Sequence, residues 1–206
     1  MSEYKDYNWE DDGFTSAHSY LIGPIEKLLP KDGSPILDLG CGNGVMANYL
    51  ISKGFNVFGT DASESGIDIA RKKNKDRFFL QDFSSDELPD ELKSVYFRTI
   101  ISTEVIEHLY NPRKYIYLCK SILGRVTEGK LIISTPYNGY LKYIALSVCG
   151  AMDLHLTALW DGGHIKFWSK HTLTKLLNEY DFNITKFVGC GRIPFLWKSM
   201  ILEARV

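Results

Sequence analysis

The sequence predicts a doubly wound α/β fold, and three observations carry that prediction. Short runs centred on apolar residues recur at 35–39, 56–60, 77–81, 97–102 and 130–134, the length and character of strands covered on both faces. Segments of helical spacing lie between most of these runs, the alternation that builds a parallel sheet. Two further strand-like runs, 183–188 and 199–204, close the chain with too little between them for a crossover helix. That spacing predicts an antiparallel pair at one end of the sheet.

The elements follow in order. Residues 1–13 are polar and aromatic and are expected to form an ordered arm over a bound ligand. Positions Ala17, Tyr20, Leu21, Ile25, Leu28 and Leu29 have helical spacing over 15–29, with a break or bend expected at Pro24. The first strand, 35–39, leads through a glycine turn into a helix at 45–52 that Gly54 stops. After the second strand, Ser63 is placed to cap a helix running to Lys73, and Arg71, Lys72 and Lys73 suit its solvated carboxyl end. The third strand ends at Asp82. Pro112 opens a helix that runs to Leu123. Residues 137–168 form a long insertion before the last helix, 170–180. Its part from Leu141 to Met152 is apolar except for Lys142, and reads either as a core helix or as a pocket wall. No repeat or low-complexity segment interrupts the chain, so 1–206 is expected to be a single domain, with 1–34 as arm and first helix.

Composition narrows the function. Hydrophobic residues make up 45% of the 206 and charged residues 24%, as in ordinary globular proteins. A net charge of −1 with scattered lysines and arginines leaves no electrostatic footprint for nucleic acid. Cys41, Cys119, Cys149 and Cys190 lack metal-ligand spacing and are expected to be reduced thiols. The start of the chain is polar and acidic, unlike a signal peptide, and no apolar run approaches the ~20 residues of a membrane span. A cytoplasmic protein is expected, and the sequence does not disclose its oligomeric state.

The most informative stretch is Ile36-Leu37-Asp38-Leu39-Gly40-Cys41-Gly42-Asn43-Gly44. A buried strand ends beside an acid, and three glycines then alternate before a helix starts. Glycines there let a ligand lie on backbone N–H groups. Asp61 ends the second strand, where an acid accepts hydrogen bonds from a ribose; a capping or turn acid is the plainer reading. Together these features describe an adenosine site at the carboxyl edge of a parallel sheet. A dinucleotide fingerprint needs Gly or Ala where Val45 stands, and Asp38 would repel a pyrophosphate. The sulfonium and ammonium of S-adenosylmethionine favour a nearby carboxylate instead. The pattern D-L-G-C-G-N-G with its acidic second strand resembles class I S-adenosylmethionine-dependent methyltransferases. The resemblance covers 15–205 and is strongest at 36–44 and 97–109.

That resemblance implies a Rossmann-like seven-stranded sheet, mostly parallel with the last strand antiparallel. It implies S-adenosylmethionine as cofactor and S-adenosylhomocysteine as product. It places Asp38, Gly40, Gly42 and Gly44 at the methionine and ribose portions and Asp61 at the ribose; Asp82 stands near the adenine or is a plain loop acid, and Thr103 is a candidate for backbone contact with the cofactor.

The acceptor side rests on two segments. Helical spacing would put Glu104, Glu107 and His108 on one face, at i, i+3 and i+4. E-x-x-E-H here resembles the motif of the ubiquinone-biosynthesis O-methyltransferases, where the matching residues are associated with a magnesium-type ion. Mg2+ ligation by Glu104, Glu107 and His108 is one reading; a metal-free pocket, with His108 as base or structural histidine, is the other. The second segment runs from Trp160 to Ser169. Gly162 and Gly163 allow a tight turn that presents His164 to the pocket, either as a base or as an orienting hydrogen-bond partner. Tyr137, Trp160 and Trp168 are candidate aromatic walls, and Arg192 would meet either an anionic group of the acceptor or solvent.

Methyl transfer is a direct displacement that needs alignment and water exclusion but no covalent nucleophile. The absence of a nucleophile–base pattern is consistent with that. The sequence therefore reads as an enzyme moving a methyl group to a small-molecule acceptor, at oxygen. A cofactor-binding scaffold without turnover and a nicotinamide-dependent oxidoreductase are the alternatives.

Overall fold

The computed structural model describes residues 9–83, 87–156, 158–160 and 162–206. Residues 1–8 of the expected arm and Asp161 of the glycine turn lie outside them. Seven strands form one sheet in the order β3-β2-β1-β4-β5-β7-β6. They are β1 (Ile36–Leu39), β2 (Val57–Asp61), β3 (Phe78–Leu80), β4 (Thr99–Thr103), β5 (Lys130–Pro136), β6 (Asn183–Cys190) and β7 (Ser199–Arg205). Strands β1 to β5 are parallel. β7 inserts between β5 and β6 and runs antiparallel to both, from Lys130↔Arg205 to Pro136↔Ser199 on the β5 side. The seven strands and the reversed last strand are as the sequence and its resemblance implied.

Helices α1 (His18–Leu28), α2 (Val45–Ser52) and α3 (Glu64–Arg71) cover one face; α4 (Pro112–Leu123) and α7 (Lys170–Asn178) cover the other. The two cores follow from that division. Leu21, Ile25, Met46, Leu50 and Ile67 pack under the first face, and Tyr115, Ile116, Leu173, Leu176 and Phe182 under the second. The sheet residues alternate between them: Ile36 and Ile101 belong to the first core, Leu37 and Ile100 to the second. Local signals set the helix starts. Ser63 Oγ accepts the Gly66 N–H at 3.0 Å, Asn111 Oδ1 accepts the Lys114 N–H at 3.1 Å, and Ser169 and Thr172 form a reciprocal capping box.

Three differences from the expected elements are local. α1 begins at His18 and runs through Pro24 without ending there. Burial of Leu21, Ile25 and Leu28 along one side holds the helix together despite the lost N–H. β3 stops at Leu80, and the Gln81 N–H still bonds to the Asp61 carbonyl at 2.8 Å. The insertion resolves into α5 (Tyr140–Val148) and α6 (Met152–Leu156). In α5 the one buried residue is Lys142, so it is not the core helix that its apolar composition allowed. All four cysteines are free thiols. Among the described residues no helix is long and apolar enough to cross a membrane.

In the strand order the chain reverses direction between β1 and β4. A crevice opens outside the carboxyl ends at such a switch point, and here it receives the loops after β1, β2, β4 and β5.

Candidate active site

A cavity of about 990 Å³ occupies that crevice. Its two sides differ in chemistry.

On the β1–β2 side the wall includes Asp38, Gly40, Gly42 and Asp61. Gly40, Gly42 and Gly44 all have left-handed backbone, at φ 86°, 53° and 73°. Their surroundings separate their roles. A Cβ on Gly42 would stand 2.8 Å from the Trp9 ring, which lies over the loop at the cavity wall. A Cβ on Gly44 would stand 2.4 Å from Ala70 Cβ and 3.0 Å from the Phe78 ring. Gly44 therefore packs between α2, α3 and β3, and it is not among the residues of the cavity wall.

The Asp61 carboxylate organises the turn. Its Oδ2 accepts the Gly42 N–H and its Oδ1 the Ser63 N–H, both at 2.8 Å. Asp82 is exposed and is not part of the wall; its neighbour Phe83 is. Thr103 lies on the wall at the end of β4. The arm crosses the loop: Asn43 Nδ2 donates to the Asp11 carbonyl at 3.0 Å, and the Trp9 N–H donates to Ser65 Oγ at 3.0 Å.

Asp38 is the unusual group. It is fully buried, and neither carboxylate oxygen has a hydrogen-bond partner among the described residues. Burial, and then the Asp61 charge, push its carboxyl up to about 8. An unpartnered buried acid on a cavity wall calls for a cationic ligand. The ammonium and sulfonium of S-adenosylmethionine fit it, and the pyrophosphate of a dinucleotide does not.

The β4–β5–β7 side carries the second constellation. Glu104 has left-handed backbone, φ 54°, and precedes the 3₁₀ turn Ile106–His108 instead of sharing its face. Ser134 and Ser199 hydroxyls donate to its two carboxylate oxygens at 2.8 and 3.0 Å. Burial raises this carboxyl to about 7 against the pull of those two bonds. Glu107 is buried, accepts the Thr135 hydroxyl at 3.0 Å, and is pushed well above the usual carboxylate range by burial and by Glu104. Glu104 thus does not join Glu107 and His108 as a ligand set. The group that does converge is Glu107, His108 and His164, with ligand atoms within 4.8 Å of one another.

His108 and His164 stand with ring centroids 4.9 Å apart, and His108 Nδ1 lies 3.0 Å from the Gly162 carbonyl. Burial lowers both imidazoles, His164 to about 4 with the help of the His108 charge. A value of about 4 leaves His164 a weak base and favours the orienting alternative of the sequence reading. One carboxyl and two imidazoles do not suit Mg2+, which prefers six oxygens; the magnesium expectation fails on donor chemistry.

Sequence reasoning missed four participants. Trp9 and Asn43 tie the arm down, and Ser199 reaches Glu104 from the far end of the chain. Lys142, 6% exposed, lines the cavity and donates to the Tyr137 carbonyl at 2.8 Å. Two of them left a signal: Trp9 belongs to the aromatic arm, and Lys142 is the single charge in an apolar run. Of the expected aromatic walls, Trp160 lines the cavity, whereas Tyr137 and Trp168 pack against the core under α4 and α7.

A methyltransferase-domain family model matches residues 15–186. The chain is similar to the ubiquinone biosynthesis O-methyltransferase of Dinoroseobacter shibae, 30% identical over 153 residues, 73% of this chain and 60% of the relative. It is also similar to that of Roseobacter denitrificans, 30% identical over 82% of this chain and 67% of the relative. The match to the Cereibacter sphaeroides enzyme of the same name spans 49% of that protein. Among solved structures, magnesium protoporphyrin IX methyltransferase from Synechocystis with bound S-adenosylhomocysteine aligns with a TM-score of 0.64 at 21% identity, covering 90% of this chain and 80% of that one. A Bacillus halodurans putative methyltransferase aligns with a TM-score of 0.67 at 14% identity, covering 89% and 97%. These two likenesses concern the fold.

Proposed function

The chain belongs to the class I S-adenosylmethionine-dependent methyltransferases, and on that premise we propose that it methylates an oxygen atom of a small molecule held on the β4–β5–β7 side of the cavity. The carrying observation is the pair of unlike walls. Asp38 stands unpartnered on one, and Glu104 faces the same space from the other. The nicotinamide alternative falls with the family assignment.

Bound in the cavity, S-adenosylmethionine supplies an electrophilic methyl group and a neutral thioether leaving group. Asp38 meets its ammonium, and the loop at Gly40 and Gly42 offers backbone to its methionine and ribose portions. Asp61, with its orientation set by Gly42 and Ser63, accepts from the ribose hydroxyls. Asp82, beside Phe83, would meet the adenine from the rim, and Thr103 would contact the cofactor through its backbone.

For the acceptor, the group whose proton affinity matches neutral pH is Glu104. Its carboxylate takes the proton of the acceptor hydroxyl as the oxygen attacks. His108 and His164, both neutral, orient that hydroxyl by hydrogen bonds. Trp160, Leu109 and Leu146 exclude water from the path. No step passes through a metal ion.

Incubation with S-adenosylmethionine carrying a carbon-13 methyl, a panel of phenols, hydroxy acids and amines, and EDTA tests this reading. The expected product carries the label on oxygen, and EDTA leaves the rate unchanged. Label on nitrogen or carbon overturns the oxygen assignment. No transfer to any member, with tight S-adenosylhomocysteine binding, favours a binding scaffold.

A further inference from the structure

We propose that the methyl acceptor carries an anionic group, a carboxylate or a phosphate, and that Lys142 and Arg192 receive it on the β5–β7 side of the cavity. The inference rests on the methyltransferase reading above and adds a substrate class to it.

The first observation is the orientation of α5. Tyr140, Leu141, Ile144 and Val148 face solvent, Tyr140 at 79% and Val148 at 82% exposure, while Lys142 is turned inward onto the cavity wall. A helix placed by hydrophobic burial alone would do the reverse. Burying an ammonium carries the desolvation cost of an ion, and one bond to a carbonyl does not offset it. A charge held inside at that cost is explained by a ligand that uses it.

The second observation is the company it keeps. Arg192 and Lys198, from the loop joining β6 to β7, line the same cavity. Lys198 lies over the Tyr20 ring, its Nζ 5.3 Å from the centroid. Among the described residues, no carboxylate lies within ion-pair distance of Lys142, Arg192 or Lys198. The excess of positive charge is felt by its neighbours. Lys142 is lowered to about 8 by burial and by Arg192, and both cations help to lower His155. His155 also lines the cavity, and its Nε2 is buried without a hydrogen-bond partner among the described residues. Glu104 is the carboxylate whose charge Lys142 feels, but it does not lie within ion-pair distance of it.

The third observation is the division of charge across the cavity. Asp38 and Asp61 belong to β1 and β2, whereas Lys142 follows β5 and Arg192 follows β6. One strand, β4, separates β1 from β5, so the strand that carries Asp38 and the one that leads to Lys142 stand about 10 Å apart at ordinary strand spacing. A cationic cofactor suits the first side and an anion the second. A carboxylate or phosphate between Lys142 and Arg192 would gain charge-assisted hydrogen bonds and be fixed in register for transfer.

Ligand-observed NMR titration of the S-adenosylhomocysteine complex with benzoate, phenyl phosphate and benzamide tests the proposal. Benzoate or phenyl phosphate should bind at least tenfold tighter than neutral benzamide, and the tighter of the two anions identifies the group. Arg192→Gln, at an exposed loop position, should weaken the anion at least tenfold while leaving S-adenosylhomocysteine affinity unchanged. Lys142→Met should do the same where it folds, and Arg192→Gln decides the matter if it does not. Equal binding of benzamide, no binding of either anion, or anion binding indifferent to Arg192→Gln overturns the proposal. Failure of S-adenosylhomocysteine itself to bind overturns the cofactor reading beneath it.

Discussion

Asp38 and Glu104 are two buried carboxyls with opposite tasks, and their environments set the difference. Asp38 has no partner and is raised to about 8, so it is mostly protonated at pH 7 until a cation arrives. Its raised value makes the unliganded fold lose stability as pH rises from the ordinary Asp range to about 8. Asp38→Asn should therefore raise the melting temperature of the unliganded protein at pH 8, by roughly 2–4 °C per kcal/mol recovered. The same substitution should weaken S-adenosylhomocysteine binding at least tenfold. Calorimetry in buffers of different ionisation enthalpy should show proton release on binding at pH 7. A variant that is neither more stable nor weaker in binding would remove the cation-site assignment. Glu104, at about 7, must be ionised to accept a proton, so kcat/KM should rise with pH through about 7 and then level. Glu104→Gln should lower turnover by about 10²-fold or more and abolish that acidic limb. A limb that survives the substitution belongs to another group. Asp38 was legible in the sequence as an acid beside the glycine turn. The helical spacing of E-x-x-E-H misled, because Glu104 adopts a left-handed backbone that no residue pattern announces.

The helices and strands were legible where a local rule had no competitor. Ser63, Asn111 and Ser169 cap where their side chains reach the next turn, and alternating glycines mark the loop after β1. The rule failed where packing overrode it. Pro24 sits inside α1 because the buried stripe of that helix outweighs one missing N–H. α5 reads as a core helix yet shows its apolar residues to solvent, because the buried position went to Lys142. Gly44, read from the sequence as a cofactor contact, also packs tightly against Ala70 of α3 and Phe78 of β3. Gly44→Ala combines a left-handed backbone with a 2.4 Å clash on Ala70, so it should cost about 1–3 kcal/mol of stability, as overpacking does. Chemical denaturation measures this directly. Full stability in the variant would mean that α3 yields more easily than its packing implies.

At the scale of the molecule, one sheet edge gathers residues from the arm at Trp9 to Ser199 near the chain's end. Topology does this work: the switch between β1 and β4 opens the crevice, and the antiparallel β7 brings Ser199 back beside Glu104. The seven-stranded sheet with its reversed last strand and the glycine turn after β1 were legible because each depends on short, contiguous patterns. The acceptor half was not, because its members meet only through folding, as when residues 95 apart in sequence share the Ser199–Glu104 bond. The central claim is that the acidic half of this cavity holds the adenosine and methionine portions of S-adenosylmethionine. Calorimetric titration with S-adenosylhomocysteine and with NADH, on the native chain and on Asp61→Ala, tests it most directly. The account predicts binding of S-adenosylhomocysteine alone, weakened more than tenfold in Asp61→Ala. Binding of NADH, or an affinity for S-adenosylhomocysteine unchanged by Asp61→Ala, would contradict it.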